Sequence, residues 1–279
     1  MTPMSAYSGK LQKFYRQPKI YISLPSKGEF YPKDGINGDP TNLPVYGMTA
    51  MDEIMFKTPD ALFSGEAVVS VIKSCVPGIT DPWQMPQIDL DTILIAIRMA
   101  TYSDSIEVNL NCEGCETEWT MDFPIQPLLG YFSELVFQKN VTIDVLTFEL
   151  RPMTYKERTN LQVEAYKIQK SLTEFARNLT DGNITGADKF YKALGKLNAE
   201  SMRQQIVSIS ADEDVVANEQ EISDFLNNSE KMFYDGLRNH TDEIKELWKI
   251  PKQTTVCPSC GLEQYNTIDL DNSNFFVKS

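Results

Sequence analysis

With 279 residues, 42% of them hydrophobic and 10% aromatic, the chain is long and apolar enough to bury one large core or two smaller ones, which argues against wholesale disorder. Its 26 basic and 39 acidic residues give a net charge of −13, which argues against a general nucleic-acid binder. No apolar run approaches the roughly 18 residues of a membrane span, and the first residues lack the apolar stretch of a secretory signal, so we expect a cytoplasmic chain.

Residues 1–47 are predicted to form an extended N-terminal arm that is basic at its start. Pro, Gly and Asn are frequent here, and short strands are expected at residues 20–24 and near Val45. Residues 1–28 hold no carboxylate, whereas the rest of the chain is strongly acidic. We therefore expect the arm to dock on an acidic neighbour, such as another copy of the chain; a solvated terminus is the alternative. The candidate partner-binding residues are Lys10, Lys13, Arg16 and Lys19.

Residues 48–103 are predicted to be a helical segment with four helices. Thr49 and the pair Thr58-Pro59 are typical of the first two helix starts. The stretches "GEAVVSVIKSC" and "IDLDTILIAIRMATY" predict the third and fourth helices, and the fourth is apolar on nearly every face, which predicts that it is buried. Cys75, at the end of the third helix, is predicted to be a small buried hydrophobic residue.

Residues 104–153 are predicted to be a β region with a first cysteine turn. In "SIEVNLNCEGCETEWTMDFPI", apolar and polar residues alternate before and after the two cysteines. This pattern predicts two strands joined by a turn. In "VTIDVLTFELRPM" the apolar residues change parity halfway, which predicts a tight hairpin or a bulge.

Residues 154–250 are predicted to be a helical insertion module, a small bundle. Thr154 and Glu157 predict a capping box, and apolar residues then recur at four-three spacing. A second helix is expected over residues 187–209, followed by an acidic loop, a third helix and a short fourth helix, with His240 between the last two.

Residues 251–279 return to a strand pattern, with a second cysteine turn in "TTVCPSCGLEQY" and a C-terminal strand. The predicted fold class is α+β. The chain is mainly helical, with a small antiparallel β zinc-ribbon element that a helical insertion splits, and with the extended N-terminal arm.

Four of the five cysteines form two C-x-x-C pairs, and these are the candidate metal ligands. Each pair supplies two thiolates on one turn, so two facing turns make a tetrahedral four-sulfur shell for a structural Zn²⁺. In a compact zinc ribbon, roughly 15–20 residues separate the two cysteine pairs, whereas 141 residues lie between Cys115 and Cys257. The helical module fills this interval, and the site stays intact if the two ends of the module lie close together. A redox pair, which would begin a helix, and unpaired thiols are the alternatives. The predicted ligands are Cys112, Cys115, Cys257 and Cys260.

The sequence offers no catalytic constellation, and we predict that the protein is not an enzyme. His240 is the single histidine, which argues against a catalytic triad unless His240 is itself the triad histidine. No phosphate-binding motif of the G-x-x-x-x-G-K-S/T or G-x-G-x-x-G type occurs. Carboxylates flank both cysteine turns, which disfavours a nucleic-acid-binding ribbon because they repel phosphate. The flanking carboxylates are Glu107, Glu113, Glu116, Glu118, Asp122, Glu263, Asp269 and Asp271.

Three longer stretches resemble a known family. "LPSKGEFYP", "VYGMTAMDEIMFKTPDALFSGEAVVSVIKSCV" and "FELRPMTYKE" are similar to the baseplate-hub family of contractile-tailed phages of the T-even type, over roughly residues 20–160. These stretches carry no catalytic chemistry, so the resemblance indicates a context and not a mechanism. Glu116 stands where many cysteine knuckles place glycine.

The resemblance implies a non-enzymatic structural or assembly subunit of a tail baseplate hub, made in the bacterial cytoplasm and located in the virion tail baseplate. Its partners would be other hub proteins and tail-tube or tape-measure proteins, with further copies of itself and without nucleic acid or a membrane span. One alternative is an assembly chaperone or adaptor that is absent from the mature virion. The other is a zinc-ribbon nucleic-acid module.

Overall fold

The computed structural model describes residues 14–177, 188–211 and 214–268, and these form a mixture of helices and strands, as predicted. The helices are α1 (Ala50–Phe56), α2 (Pro59–Phe63), α3 (Glu66–Cys75), α4 (Leu90–Thr101), α5 (Gln126–Glu134), α6 (Tyr155–Arg177), α7 (Asp188–Arg203), α8 (Glu219–Asn228) and α9 (Lys231–Leu247). The strands are β1 (Ile20–Ile22), β2 (Leu43–Val45), β3 (Ser105–Asn111), β4 (Glu118–Pro124), β5 (Asn140–Ile143), β6 (Leu146–Leu150), β7 (Ile206–Ala211), β8 (Asp214–Val216), β9 (Gln253–Val256) and β10 (Glu263–Asn266). None of the described helices is long and apolar enough to cross a membrane.

α4 is the centre of the first of two hydrophobic cores. Nine of its twelve residues are buried, because its sequence is apolar on nearly every face. α3 packs in the same core through Val71 and Ile72, which have no exposed surface. Phe132 of α5 and Ile268 near the end of the described chain belong to it as well. The first core therefore joins segments from both ends of the sequence.

The predicted starts of α1, α2 and α6 are confirmed, and capping contacts are present at α1 and α6. The Thr49 hydroxyl accepts a hydrogen bond from the backbone N–H of Asp52, whose carboxylate accepts one from the Thr49 N–H at 2.7 Å. Pro59 occupies the first turn of α2. At the start of α6, the Thr154 N–H donates to the Glu157 carboxylate at 2.8 Å, and the Glu157 N–H donates to the Thr154 hydroxyl at 3.2 Å.

Residues 20–45 pack on the first core and do not extend away from it. β1 pairs with β2 in antiparallel fashion, with Ile22 opposite Leu43. Leu24 and Leu43 have no exposed surface. The short strands predicted at residues 20–24 and near Val45 are confirmed, and the apolar side chains of this part of the arm cover a surface on their own chain.

A turn after β1 brings Ser26 to the buried carboxylate of Asp89. Gly28 in this turn has φ +82°, and a Cβ atom there would lie 3.1 Å from Pro40, so the turn requires glycine. The Ser26 N–H donates to one Asp89 oxygen at 2.8 Å and the Ser26 hydroxyl donates to the other at 2.6 Å. Burial raises the pKa of Asp89 to about 6, although the hydrogen bonds from Ser26 act in the opposite direction. The stretch "LPSKGEFYP" is thus fixed to the start of α4.

β5 to β8 form a four-stranded antiparallel sheet that carries the second core. Phe148 on β6 lies opposite Ile209 on β7 and is fully buried. Its ring centroid lies 6.0 Å from that of Phe225 on α8 and 6.5 Å from that of Phe233 on α9. The β5–β6 connection is a tight hairpin with Asp144 at φ +54°, as the change of parity predicts.

β7 and β8 lie inside residues 154–250, which the sequence predicts to be helical throughout. The helix predicted over residues 187–209 ends at Arg203, so this prediction is wrong for its last residues. Ile206 and Ile209 lie on β7 instead. Their three-residue spacing fits a helical face, but pairing with β6, which is distant in sequence, favours the strand.

The final helices also differ from the prediction. The predicted third helix is two helices, since α8 ends at Asn228 and α9 begins after Glu230. His240 lies inside α9 and not between two helices, because the buried side of α9 continues past it from Leu237 through Thr241 to Ile244. α5 lies within residues 104–153, where the sequence predicts only β structure.

The carboxyl of Asp89 predicts a specific pH dependence of stability. Its folded pKa of about 6 lies above the unfolded value of about 3.9, so the folded chain holds this proton more tightly. The stabilisation is fully present below about pH 4 and is lost as the pH rises through about 6. Between pH 4 and pH 7 we expect this group to lower the free energy of unfolding by on the order of 2–3 kcal/mol.

The Asp89→Asn variant keeps one acceptor oxygen for Ser26 but has no proton to lose. Urea titrations at pH 4 and pH 7 give the unfolding free energies of wild type and variant. From pH 4 to pH 7, the wild type should lose stability relative to the variant. A difference that is the same at pH 4 and pH 7 would contradict the raised pKa of Asp89.

Candidate metal centre

Two β-hairpins carry the four cysteines at their turns. β3 pairs with β4, and residues 112–115 form the turn between them. β9 pairs with β10, and residues 257–260 form the turn between these strands. The strand–turn–strand arrangement predicted for both cysteine pairs is confirmed. Burial alternates along β3 and β4, so each strand presents one face to the protein.

The two cysteine turns have the same backbone geometry. The N–H of Glu116 donates to the carbonyl of Cys112 at 2.9 Å, and the N–H of Gly261 donates to the carbonyl of Cys257 at 3.0 Å. Glu116 has φ +57° and Gly261 has φ +73°. Glu116 therefore adopts the left-handed backbone that glycine adopts in the second turn, and the substitution for glycine does not disrupt the turn.

The four sulfur atoms all lie within 4.8 Å of one another. The Cys112–Cys260 distance between sulfurs is 3.5 Å and the Cys115–Cys257 distance is 3.6 Å. A disulfide bond has a length of about 2.05 Å, so these cysteines are free thiols. A tetrahedral metal with metal–sulfur bonds of about 2.3 Å places its ligands about 3.8 Å apart. The closest distances are near this value, and the four cysteines could hold a metal ion.

The polar groups near the sulfurs favour thiolates unequally. Hydrogen bonds from the Thr117 hydroxyl and backbone lower the pKa of Cys115 to about 6. The backbone N–H of Leu262 acts in the same direction on Cys260, but the neighbouring sulfurs outweigh it and raise the pKa of Cys260 to about 12. Four negative charges at this spacing repel one another, and a divalent cation at their centre would favour the thiolate form of all four.

The sulfurs are not the only contact between the two hairpins. The Gln264 side chain on β10 donates to the carbonyl of Asn111 at 2.9 Å and accepts from the N–H of Glu113 at 3.2 Å. Gln264 is buried, and Leu262 packs so closely on Gly114 that a Cβ there would lie 2.9 Å from it. Sequence reasoning missed Gln264. The only sequence signal for it is a long polar side chain at a position of β10 whose side chain points to the buried face of the strand.

The donor set supports a structural role and no catalytic one. Cys112 and Cys257 are buried, whereas Cys115 and Cys260 are exposed, so the cluster lies at the protein surface. Four cysteine ligands complete a tetrahedral shell and leave no position for water or substrate. A metal held here would join the two hairpins without activating a reactant.

Arg16 of the basic arm contacts its own chain. Its guanidinium donates to the carbonyl of Gly47 at 2.8 Å and to the carbonyl of Ser74 at 2.8 Å, and it pairs with Asp52 at 3.6 Å. These contacts hold the start of the described chain against α1 and α3. Partner binding by the basic arm stays a prediction.

The remaining candidate residues lie apart from the four cysteines. Lys19 is exposed, and Lys10 and Lys13 lie outside the described residues. Cys75 has no exposed surface, as predicted. Over residues 14–177, 188–211 and 214–268, the cluster at Cys112 is the one group of three or more cysteine, histidine or acidic side chains close enough to hold a metal ion.

A family model described as T4 bacteriophage base plate protein matches residues 47–277. The matched range includes both cysteine turns. It also includes the four-stranded sheet of β5 to β8 and the two-stranded sheet of β9 and β10. No curated protein and no solved structure matches the chain.

Replacing one ligand should empty the metal site. We expect Cys257→Ser to lose most of the bound metal, because a serine hydroxyl is a poor replacement for a thiolate in a four-sulfur shell. Elemental analysis of the purified chain gives the metal content. Ser259→Ala, an exposed position in the same turn, is the control and should keep its metal. Equal metal content in both variants would show that the four cysteines do not form one site.

The left-handed backbone at residues 116 and 261 predicts that Glu116→Gly and Gly261→Ala change the unfolding free energy in opposite directions. Left-handed backbone costs a non-glycine residue about 1–2 kcal/mol, whereas glycine in the unfolded chain costs about 0.5–1 kcal/mol of entropy. Glu116→Gly should therefore raise the unfolding free energy of the metal-loaded chain by about 0.5–1 kcal/mol. Gly261→Ala should lower it, although a Cβ atom there meets nothing within 4 Å. Urea titrations test both, and the same sign of change in the two variants would exclude backbone strain as the cause.

Proposed function

The chain belongs to the T4 bacteriophage base plate protein family, and on this premise we propose that it is a non-enzymatic structural or assembly subunit of a contractile tail baseplate hub. The match over residues 47–277 is the observation that carries the proposal. It covers both cysteine turns and most of both cores.

The bound metal in this proposal is a structural Zn²⁺. Soft thiolate ligands in a tetrahedral four-sulfur arrangement suit zinc, which has no preferred geometry of its own and no redox chemistry. The ion fixes the turn that ends β3 to the turn that precedes β10, at the surface of the molecule. This keeps the two ends of a long intervening segment together during assembly.

The partners in this proposal are other hub proteins, tail-tube or tape-measure proteins, and further copies of the chain. Large apolar side chains at the surface of α1 and α2 support a role in protein contacts: Met51 is 71% exposed, Ile54 is 60% exposed and Phe63 is 51% exposed. Carboxylates around the metal cluster oppose binding to a phosphate backbone. The protein acts in the virion tail baseplate after assembly in the bacterial cytoplasm.

Loss of the protein should block tail assembly. A phage with an early stop codon in the gene for this chain should make heads but no complete tails. The wild-type chain and Ser259→Ala supplied in trans should restore infectivity, whereas Cys257→Ser should restore it poorly. Complete, infectious tails made without the chain would contradict the proposal. Mass spectrometry of purified virions then separates a retained subunit from an assembly factor that leaves, since only the former is present in the particle.

A further inference from the structure

β4 has one open edge. In an antiparallel pair, residues turn their backbone groups alternately toward the partner strand and away from it. The N–H of Cys112 donates to the carbonyl of Thr117 at 3.0 Å, just beyond the end of the β3–β4 pair, and this contact sets the alternation. The backbone groups of Glu118, Thr120 and Asp122 therefore point away from β3. These three residues are exposed, and in the part of the chain that the structure describes no strand pairs with β4 on that side.

The outer edge of β3, in contrast, is partly occupied. The carbonyl of Asn111 accepts from the Gln264 side chain of the facing hairpin at 2.9 Å, and the carbonyl of Ser105 accepts from the Ser103 hydroxyl at 3.0 Å. No hydrogen bond from a described residue ends on the outward backbone groups of β4. An unpaired row of backbone groups is a place where an extended segment can add as a further strand.

The exposed face of the β3–β4 hairpin is acidic. Glu107 on β3 lies directly opposite Asp122 on β4, and like charges in this position repel each other. Among the described residues, none forms an ion pair with Glu107, Glu118 or Asp122. From residue 99 to residue 138 the sequence holds seven carboxylates and no lysine or arginine. More than half of the net charge of −13 therefore lies in this one stretch.

These charges decide between two kinds of occupant. If two copies of the chain paired in antiparallel fashion through β4, with Thr120 at the centre, Glu118 of each copy would lie opposite Asp122 of the other. Such a pairing places carboxylates against carboxylates and is disfavoured. A strand with lysine or arginine on the same face places opposite charges beside Glu118 and Asp122, and it also offsets the repulsion between Glu107 and Asp122.

The other face of β4 determines the remaining positions of the occupant. Trp119 and Met121 are half-buried and belong to neither of the cores that the described residues form. Val108, which lies opposite Met121 on β3, does pack against the first core. Apolar side chains on this face of an added strand cover the exposed parts of Trp119 and Met121. Because the two faces alternate along a strand, the occupant has alternating basic and apolar residues.

We propose that the open edge of β4 binds an extended segment of another protein as an added strand, and that basic and apolar residues alternate in this segment. Its backbone pairs with Glu118, Thr120 and Asp122. Its basic side chains lie beside the carboxylates, and its apolar side chains lie beside Trp119 and Met121. The proposal goes beyond the baseplate role and does not depend on it, because it follows from the edge and the charges of the hairpin alone.

A fluorescein-labelled peptide of alternating lysine and valine is the probe, and fluorescence anisotropy measures its affinity for the purified full-length chain. We expect this peptide to bind. A peptide of the same composition with its lysines grouped at one end should bind about tenfold more weakly, because it cannot present one basic and one apolar face. No binding of the alternating peptide, or equal affinities of the two peptides, would overturn the proposal.

Proline at residue 120 tests the strand pairing. Thr120→Pro removes an N–H that points away from β3, so the β3–β4 pair keeps its hydrogen bonds. We expect this variant to bind the alternating peptide about tenfold more weakly than wild type. Thr120→Ala is the matched control, because it also loses the hydroxyl contact with Asn109 but keeps the N–H, and it should bind like wild type. Equal binding by the two variants would place the peptide elsewhere and contradict the proposal.

A charge reversal on β4 tests the contact independently, and it decides the question if Thr120→Pro does not fold. Asp122→Lys replaces the repulsion from Glu107 with attraction, so the hairpin should remain stable. It should weaken binding of the alternating peptide about tenfold. Glu174→Lys, an exposed position on α6, changes the net charge equally and should leave binding unchanged. Equal weakening in both variants would show that only the net charge attracts the peptide, and the proposal would be wrong.

The oligomeric state of the chain identifies the competing occupant. A wild-type dimer that Thr120→Pro converts to a monomer, while Thr120→Ala remains a dimer, would assign the open edge of β4 to a second copy. Analytical ultracentrifugation measures this, and that result would overturn a basic segment of another protein as the occupant. The same oligomeric state in wild type and both variants is the result that the proposal predicts.

Discussion

The four sulfur atoms within 4.8 Å of one another set the geometry on which the rest of this chain depends. They bring together two turns that are 142 residues apart in the sequence. Closing a loop of this length costs about 5 kcal/mol of chain entropy. Without a metal, the contacts around Gln264 and the packing of Trp248 and Ile268 on the first core have to offset this cost. A metal–thiolate cluster supplies more than this amount, since structural zinc sites contribute about 10–16 kcal/mol in small peptides. The second core and the helices α6 and α7 all lie within the loop that the cluster closes.

The other elements of the structure pack around the two hydrophobic cores. The first core is closed by the N-terminal segment, whose Ser26 binds the buried Asp89 at the start of α4. The second is closed by β7, which returns to pair with β6 after α6 and α7. In α6 and α7, none of the described side chains from residue 160 to 177 and from 188 to 201 is buried.

Much of this arrangement follows from local sequence. Alternating side chains predict β3 and β4, hydroxyl caps predict the starts of α1 and α6, and C-x-x-C spacing predicts the two cysteine turns. In each case a few neighbouring residues determine the local geometry. The sequence also suggests a T4-type baseplate protein, and the family match over residues 47–277 agrees with this. The assignment to the hub stays a proposal.

The features that the sequence does not predict depend on distant contacts. Ile206 and Ile209 fit a helical face equally well, and only β6 makes them a strand. His240 lies among polar residues that mimic a helix end, but the buried side of α9 continues past it through Thr241 and Ile244. The N-terminal segment has the Pro and Gly content of a free arm, and its burial follows from the surface that α3 and α4 offer. Gln264 contacts the partner hairpin only because the fold places it there.

X-ray absorption at the zinc edge of the purified chain is the most direct measurement of the central claim. The account predicts one zinc ion per chain with four sulfur neighbours at about 2.3 Å and no nitrogen or oxygen in the first shell. A shell with two sulfurs, or with nitrogen and oxygen ligands, would contradict a site shared by Cys112, Cys115, Cys257 and Cys260, and so would a folded chain that contains no zinc.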